Sequence, residues 1–112
     1  MSDAAEYCIV QVCCPTDVAE ALAETVFAKR LAACAHILPE HRAIYQWGPE
    51  NEICHEPETT LLFKTRKTLY KELEKCIREH HPFECPLILA HPVLDGYPGY
   101  LQWVDQQTKD AA

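Results

Sequence analysis

Glycine is the first shortage: three residues in a chain of 112. A Walker loop or a G-x-G-x-x-G turn needs several glycines together so that the backbone can approach phosphate, and both are excluded. No C-x-x-C occurs either, although there are seven cysteines (Cys8, Cys13, Cys14, Cys34, Cys54, Cys76, Cys85). That removes the zinc-knuckle and thioredoxin-type readings. An odd number of thiols leaves at least one unpaired, and Cys13 and Cys14, adjacent on a strand, would point to opposite faces. Most of the seven are expected to be small buried hydrophobes. Long apolar runs are also missing. Tyr7–Thr16, ten residues without Asp, Glu, Lys or Arg, falls short of the ~20 that cross a bilayer as a helix. Positive charge is in the minority, with 10 Lys and Arg against 17 Asp and Glu and a net charge of -7. An acidic chain is a poor default for DNA, RNA or anionic lipid, so neither nucleic acid nor membrane is an expected partner. Asp3 and Glu6 stand where a secretory signal carries positive charge, and the expected compartment is cytoplasmic.

What is present describes one globular domain over residues 1–112, with residues 1–6 expected to be a mobile N-terminus. A 48% hydrophobic content excludes a disordered acidic tail. Residues 7–14 are β-branched, aromatic or small and apolar, which predicts a strand buried on nearly both faces. Pro15 to Asp17 break it, and Asp17 with Glu20 has the spacing of a capping box. Val18, Leu22, Thr25 and Val26 then give a helical stripe. A strand is expected over 33–38, resuming over 43–47, before the turn residues Gly48 to Asn51. The return strand runs to Thr65, and Pro57 within it demands an edge position or a bulge. Leu69, Leu73, Cys76 and Ile77 mark a second helix, stopped before Pro82. Leu87 to Ala90 form a last strand, and a short helix follows Pro98 and Gly99. The order β-α-β-β-α-β plus a closing helix is α+β: a ferredoxin-like split βαβ sandwich with both main helices on one sheet face. Its bare face and hairpin edges would need pairing, which predicts an oligomer.

Six blocks narrow this further. They are Lys29–Ala35, Ile44–Trp47, Leu62–Thr65, His80–Pro86, His91–Val93 and Gly99–Val104. In this order and spacing the chain resembles the CutA family of divalent-cation tolerance proteins. The resemblance implies a ferredoxin-like protomer, a homotrimer whose sheets join edge to edge, and an association with copper and other divalent metals. It also associates copper with a first-strand cysteine, the first histidine of His-His-Pro and a glutamate after the following proline. The histidine is His80. The residue after Pro86 is Leu87, and the cysteine position falls at Gln11 or Val12. Copper or another divalent cation is therefore the one cofactor to consider, and none is required for folding.

Copper(I) favours sulfur and imidazole, which makes His80 the candidate metal ligand. The competing role for it is to cap the helix C-terminus. Adjacent His80 and His81 diverge by about 100° on a helix, so one ion would rarely take both. Tyr45, Trp47, Tyr100 and Trp103 form a second constellation: either packing between subunits or the lining of an inter-subunit cleft, with Glu58 and Lys64 adding polar groups. Glu50, Glu52, Glu56 and Glu58 read as an exposed acidic arm, and Lys64 to Arg78 as a basic stretch, both solvated. No nucleophile with a base and an orienting group is legible, so the chain is not read as an enzyme. The competing function is a non-enzymatic, PII-like regulatory or scaffold trimer that binds a small molecule or protein partner at its clefts, an analogy of fold alone.

Overall fold

The run of β-branched and small apolar residues at the start forms β1 (Tyr7–Cys14), as its pattern requires. The computed structural model describes residues 6–110, so residues 1–5 of the expected mobile terminus lie outside the described residues. A 3-10 turn over Thr16–Val18 leads into α1 (Ala19–Ala28). The expected capping box does not form. Val18 N–H bonds the Pro15 carbonyl, and the Thr16 hydroxyl donates to Glu40 at 2.7 Å, so the turn itself starts the helix. Next come β2 (Cys34–Ile37), β3 (His41–Trp47) and β4 (Glu52–Arg66). They are followed by α2 (Tyr70–His80), β5 (Leu87–Pro92) and α3 (Pro98–Gln107). α3 begins two residues earlier than the aromatic run suggested, because proline suits the first helical position, where its missing N–H costs nothing.

The sheet order is β2-β4-β1-β5, with β3 also paired to β4, and every pairing is antiparallel. This is the ferredoxin-like arrangement. Register sets the two faces. Val10 pairs Phe63 and Val12 pairs Leu61, and these four, all buried, face the helices. Leu22 and Val26 of α1 and Leu73, Cys76 and Ile77 of α2 complete that core. The alternate set, Ile9 with Lys64, Gln11 with Leu62 and Cys13 with Thr60, faces away from them.

A helix covers that second face at one end. There α3 packs Leu101 and Val104 on Tyr7, whose hydroxyl donates to Asp105 at 2.7 Å. Arg66 ties the same end to Thr108 and to the Lys109 carbonyl. At the other end β3 and the first half of β4 leave the sandwich as a two-stranded arm. Fifteen residues of strand reach about 50 Å, and the molecule's longest dimension is 50 Å. Pro57 sits in the arm opposite Arg42, where among the described residues β4 pairs with β3 alone and keeps one edge free, the edge position that a strand proline requires.

Phe63 is fully buried and meets Phe27 edge-on at 6.5 Å between ring centres. Phe63→Ala is expected to cost about 3–5 kcal/mol through lost burial and the cavity left behind. Urea unfolding measures this as a lower midpoint with an unchanged slope.

Candidate functional site

The uncovered face carries two clusters of chemistry-bearing side chains. The first lies beside α3. Lys64 and Cys34 are register partners, and the Lys64 Nζ donates to His36 Nδ1 at 2.8 Å and to the Leu62 carbonyl at 3.0 Å. Burial lowers the Lys64 pKa from its ordinary value, partly opposed by Cys34. The Tyr100 hydroxyl shares a hydrogen bond with Cys34 Sγ at 3.1 Å, and its ring lies against Trp103 at 5.7 Å. Burial, then that hydrogen bond, pushes Tyr100 up to about 12.

The second cluster forms at the root of the arm. β3–β4 register sets His41 opposite Glu58 and Tyr45 opposite Cys54, so His41, Tyr45, Trp47 and Glu58 share one side of the ribbon. The loop after α2 closes the other side. His81 is buried, and its Nδ1 accepts the Phe83 N–H at 3.1 Å. Its Nε2 must then carry the proton, which goes to the Cys13 carbonyl at 2.8 Å. This neutral tautomer pins the loop to β1 and sets the His81 ring against Phe83, ring centres 5.0 Å apart and planes tilted by 57°. Between arm and loop lies an open cavity of about 560 Å³, lined among others by Cys13, His41, Tyr45, Trp47, Glu58 and Phe83.

Three of the six expected cleft residues, Tyr45, Trp47 and Glu58, therefore meet in one cavity. Lys64, Tyr100 and Trp103 form the other cluster. Six steps along the strand take Glu58 to Lys64, about 20 Å, so one protomer does not unite the two halves. Glu58 also departs from the expected exposed acidic arm. It is 7% exposed, whereas Glu50, Glu52 and Glu56 are exposed as expected.

The CutA1 family model, described as CutA1 divalent ion tolerance protein, matches residues 8–107. The chain belongs to this family. Protein CutA of Mus musculus is 37% identical over 102 residues, covering 90% of this chain and 56% of that protein. The human protein gives the same figures, so the chain spans little more than half of these mammalian relatives. The divalent-cation tolerance protein CutA of Pyrococcus horikoshii is 41% identical over 91 residues, 81% of this chain and 86% of that one. The crystal structure of CutA1 from the psychrotrophic bacterium Shewanella sp. SIB1 superposes with a TM-score of 0.88 at 32% identity, covering 94% of this chain and 97% of that one.

In this CutA1 chain His80 is exposed at the end of α2, and its Nδ1–H donates to the Cys76 carbonyl at 2.8 Å. It caps its own helix and keeps Nε2 as a bare lone pair. It does not line the cavity. Gln11 accepts from His91 Nε2 at 2.8 Å, Val12 is fully buried against the helices, and Leu87 lies opposite Cys13. None of those three supplies a metal donor beside His80. Among the described residues no group of three or more His, Cys, Asp or Glu is disposed to hold a metal ion, so the donors of one protomer do not fit a tight site. No cysteine is bridged. Cys8, Cys13, Cys14 and Cys76 are buried, and burial pushes Cys14 up to about 11. No helix among the described residues is long and apolar enough to cross a membrane.

The residues that sequence reasoning missed are His41, His81 and Phe83. His-His-Pro drew notice to the pair, but the second histidine pins the loop. Its signal was the following proline, which forces His81 out of helical geometry (φ -92°, ψ 136°) and turns its ring inward.

His81→Ala leaves the buried Cys13 carbonyl without its donor and is expected to cost about 1–3 kcal/mol. His80→Ala removes one exposed hydrogen bond to a helix-end carbonyl and should cost about 0.5–1 kcal/mol. Urea unfolding of the two variants separates the roles. Tyr70 and Tyr100 are both pushed up to about 12 from an ordinary 10.0. A raised folded value means their contribution to stability is complete below pH 10 and is lost as pH rises towards 12. A late phenolate absorbance phase is expected in that window, diminished in Tyr100→Phe.

Proposed function

We propose that this chain acts in the cytoplasm as a non-enzymatic, trimeric divalent-cation tolerance protein that binds copper. The observation that carries the reading is membership of the divalent-ion tolerance family over residues 8–107. Copper binding is supported by the state of His80. An imidazole whose Nδ1–H is held by a backbone carbonyl offers Nε2 in a fixed direction, the arrangement that orients metal-bound histidines. One imidazole binds weakly, so the remaining donors come from a second copy.

Assembly as a trimer is supported by what the protomer leaves bare. Ile44 is 62% exposed and Ile53 66% on the arm, and Leu89 is 51% exposed on β5. β3 and β5 each pair on one side only among the described residues. Bare apolar edges of this kind invite strand addition, and joining copies edge to edge satisfies them. The cavity at the arm root favours a second reading, a PII-like regulatory or scaffold trimer that takes a small molecule or protein partner at its clefts.

Sedimentation at micromolar concentration is expected to show a species of three chains, and single chains would refute the edge-pairing reading. Calorimetric titration of reduced protein with Cu(I) and Cu(II) is expected to show binding that His80→Ala weakens at least tenfold. Equal affinity in both proteins removes His80. Binding no tighter than free histidine removes copper and leaves the cleft reading.

A further inference from the structure

Among the described residues Glu58 is the only Asp, Glu, Lys or Arg that is buried. Its carboxylate forms no hydrogen bond or ion pair with any described residue. Among the described residues no sealed side-chain oxygen lacks a partner, so a carboxylate without one must reach open space. The space beside Glu58 is the arm-root cavity. A charge held out of bulk water and left unpaired is costly, and it is retained where something of opposite charge completes it.

The rest of the lining narrows that something. Neither basic lining residue serves Glu58. His41 Nε2 is engaged with the Thr60 hydroxyl at 2.7 Å, and Arg42, which borders the cavity from the alternate face of the ribbon opposite Pro57, forms no ion pair with Glu58. Three aromatic rings, Tyr45, Trp47 and Phe83, line the same space, and Glu84 adds a second carboxylate. An anion would meet Glu58 and be repelled. A bare divalent ion lacks a set of three donors. Aromatic faces beside a buried carboxylate suit a cationic nitrogen with an apolar body: the charge pairs with the acid and the rings take the remainder. The volume, about 560 Å³, falls within the range of ligand pockets, roughly 300–1,000 Å³.

The geometry points to the arm-root cavity as a binding site for a small organic amine, its ammonium held by Glu58 and its apolar body by Tyr45, Trp47 and Phe83. This rests on the cleft reading above and specifies the ligand's charge and shape. The test uses the intact, assembled protein titrated with phenethylamine and with its neutral counterpart 2-phenylethanol. Tryptophan emission and calorimetry report binding, and Trp103→Phe assigns the emission to Trp47. The amine is expected to bind at least tenfold tighter than the alcohol, and Glu58→Gln to abolish that preference while leaving alcohol binding unchanged. The amine–alcohol comparison on the unmodified protein stands even if Glu58→Gln fails to fold. Equal binding of amine and alcohol retains a cleft but overturns the amine assignment. Binding of neither overturns both readings. If the amine does not bind and Glu58→Gln shifts sedimentation to smaller species, the cation is a side chain of a second copy, and the small-amine proposal fails.

Discussion

The architecture depends on β4 being one uninterrupted strand of fifteen residues. Its second half is the centre of the sandwich, flanked by β1 and β2 and burying Leu61 and Phe63 under both helices. Its first half leaves that core and pairs with β3 alone. The strand therefore makes core and arm one rigid piece, and what is attached to the arm is registered against the core. Because strand side chains alternate, the choice that sends Leu61 and Phe63 inward also sends Glu58, Thr60, Leu62 and Lys64 to the opposite face. A slip of one residue would bury the lysine and expose the phenylalanine.

That alternate face explains the distribution of polar groups. α3 covers one end through Tyr7, Leu101 and Val104, and the His81 loop reaches the other through the Cys13 carbonyl. Between them the sheet presents paired polar side chains, His91 on Gln11 and Lys64 on His36, beside exposed leucines of β5. Polar groups that satisfy each other are the form in which a sheet face can later be covered without stranding donors. Glu58 is the exception, and it opens into a cavity.

How far the sequence could be read differs by level. The three helices and every strand segment were legible, β2 and β3 as a single interrupted strand, because Val10, Val12, Leu61 and Phe63 alternate and Leu69, Leu73, Cys76 and Ile77 recur at helical spacing. Element ends were less so. The Asp17–Glu20 spacing suggested a capping box, whereas a 3-10 turn with Thr16 bonded to Glu40 took its place, a long-range contact that no local pattern encodes. The candidate site was half legible. Tyr45, Trp47 and Glu58 do meet, but Lys64, Tyr100 and Trp103 belong to another cluster. Grouping by residue type ignores the rise of about 3.4 Å per strand residue that separates them.

The sequence by itself determined the fold class, the family and the acidic arm with its turn, since each is written in periodicity, motif order or local composition. Only the tertiary structure decided which of two neighbouring histidines is pinned inside, and which of four arm glutamates is buried. Both outcomes turn on place in the fold rather than on residue type. Pro82 turns the His81 ring towards β1 while His80 remains on the helix. Glu58, on the same face of β4 as Glu52 and Glu56, is buried because it lies at the arm root beside the loop after α2, while Glu50, Glu52 and Glu56 stay in water further out. Composition counts those side chains alike. The strand and helix that carry them do not, because packing against a distant segment fixes what each one meets.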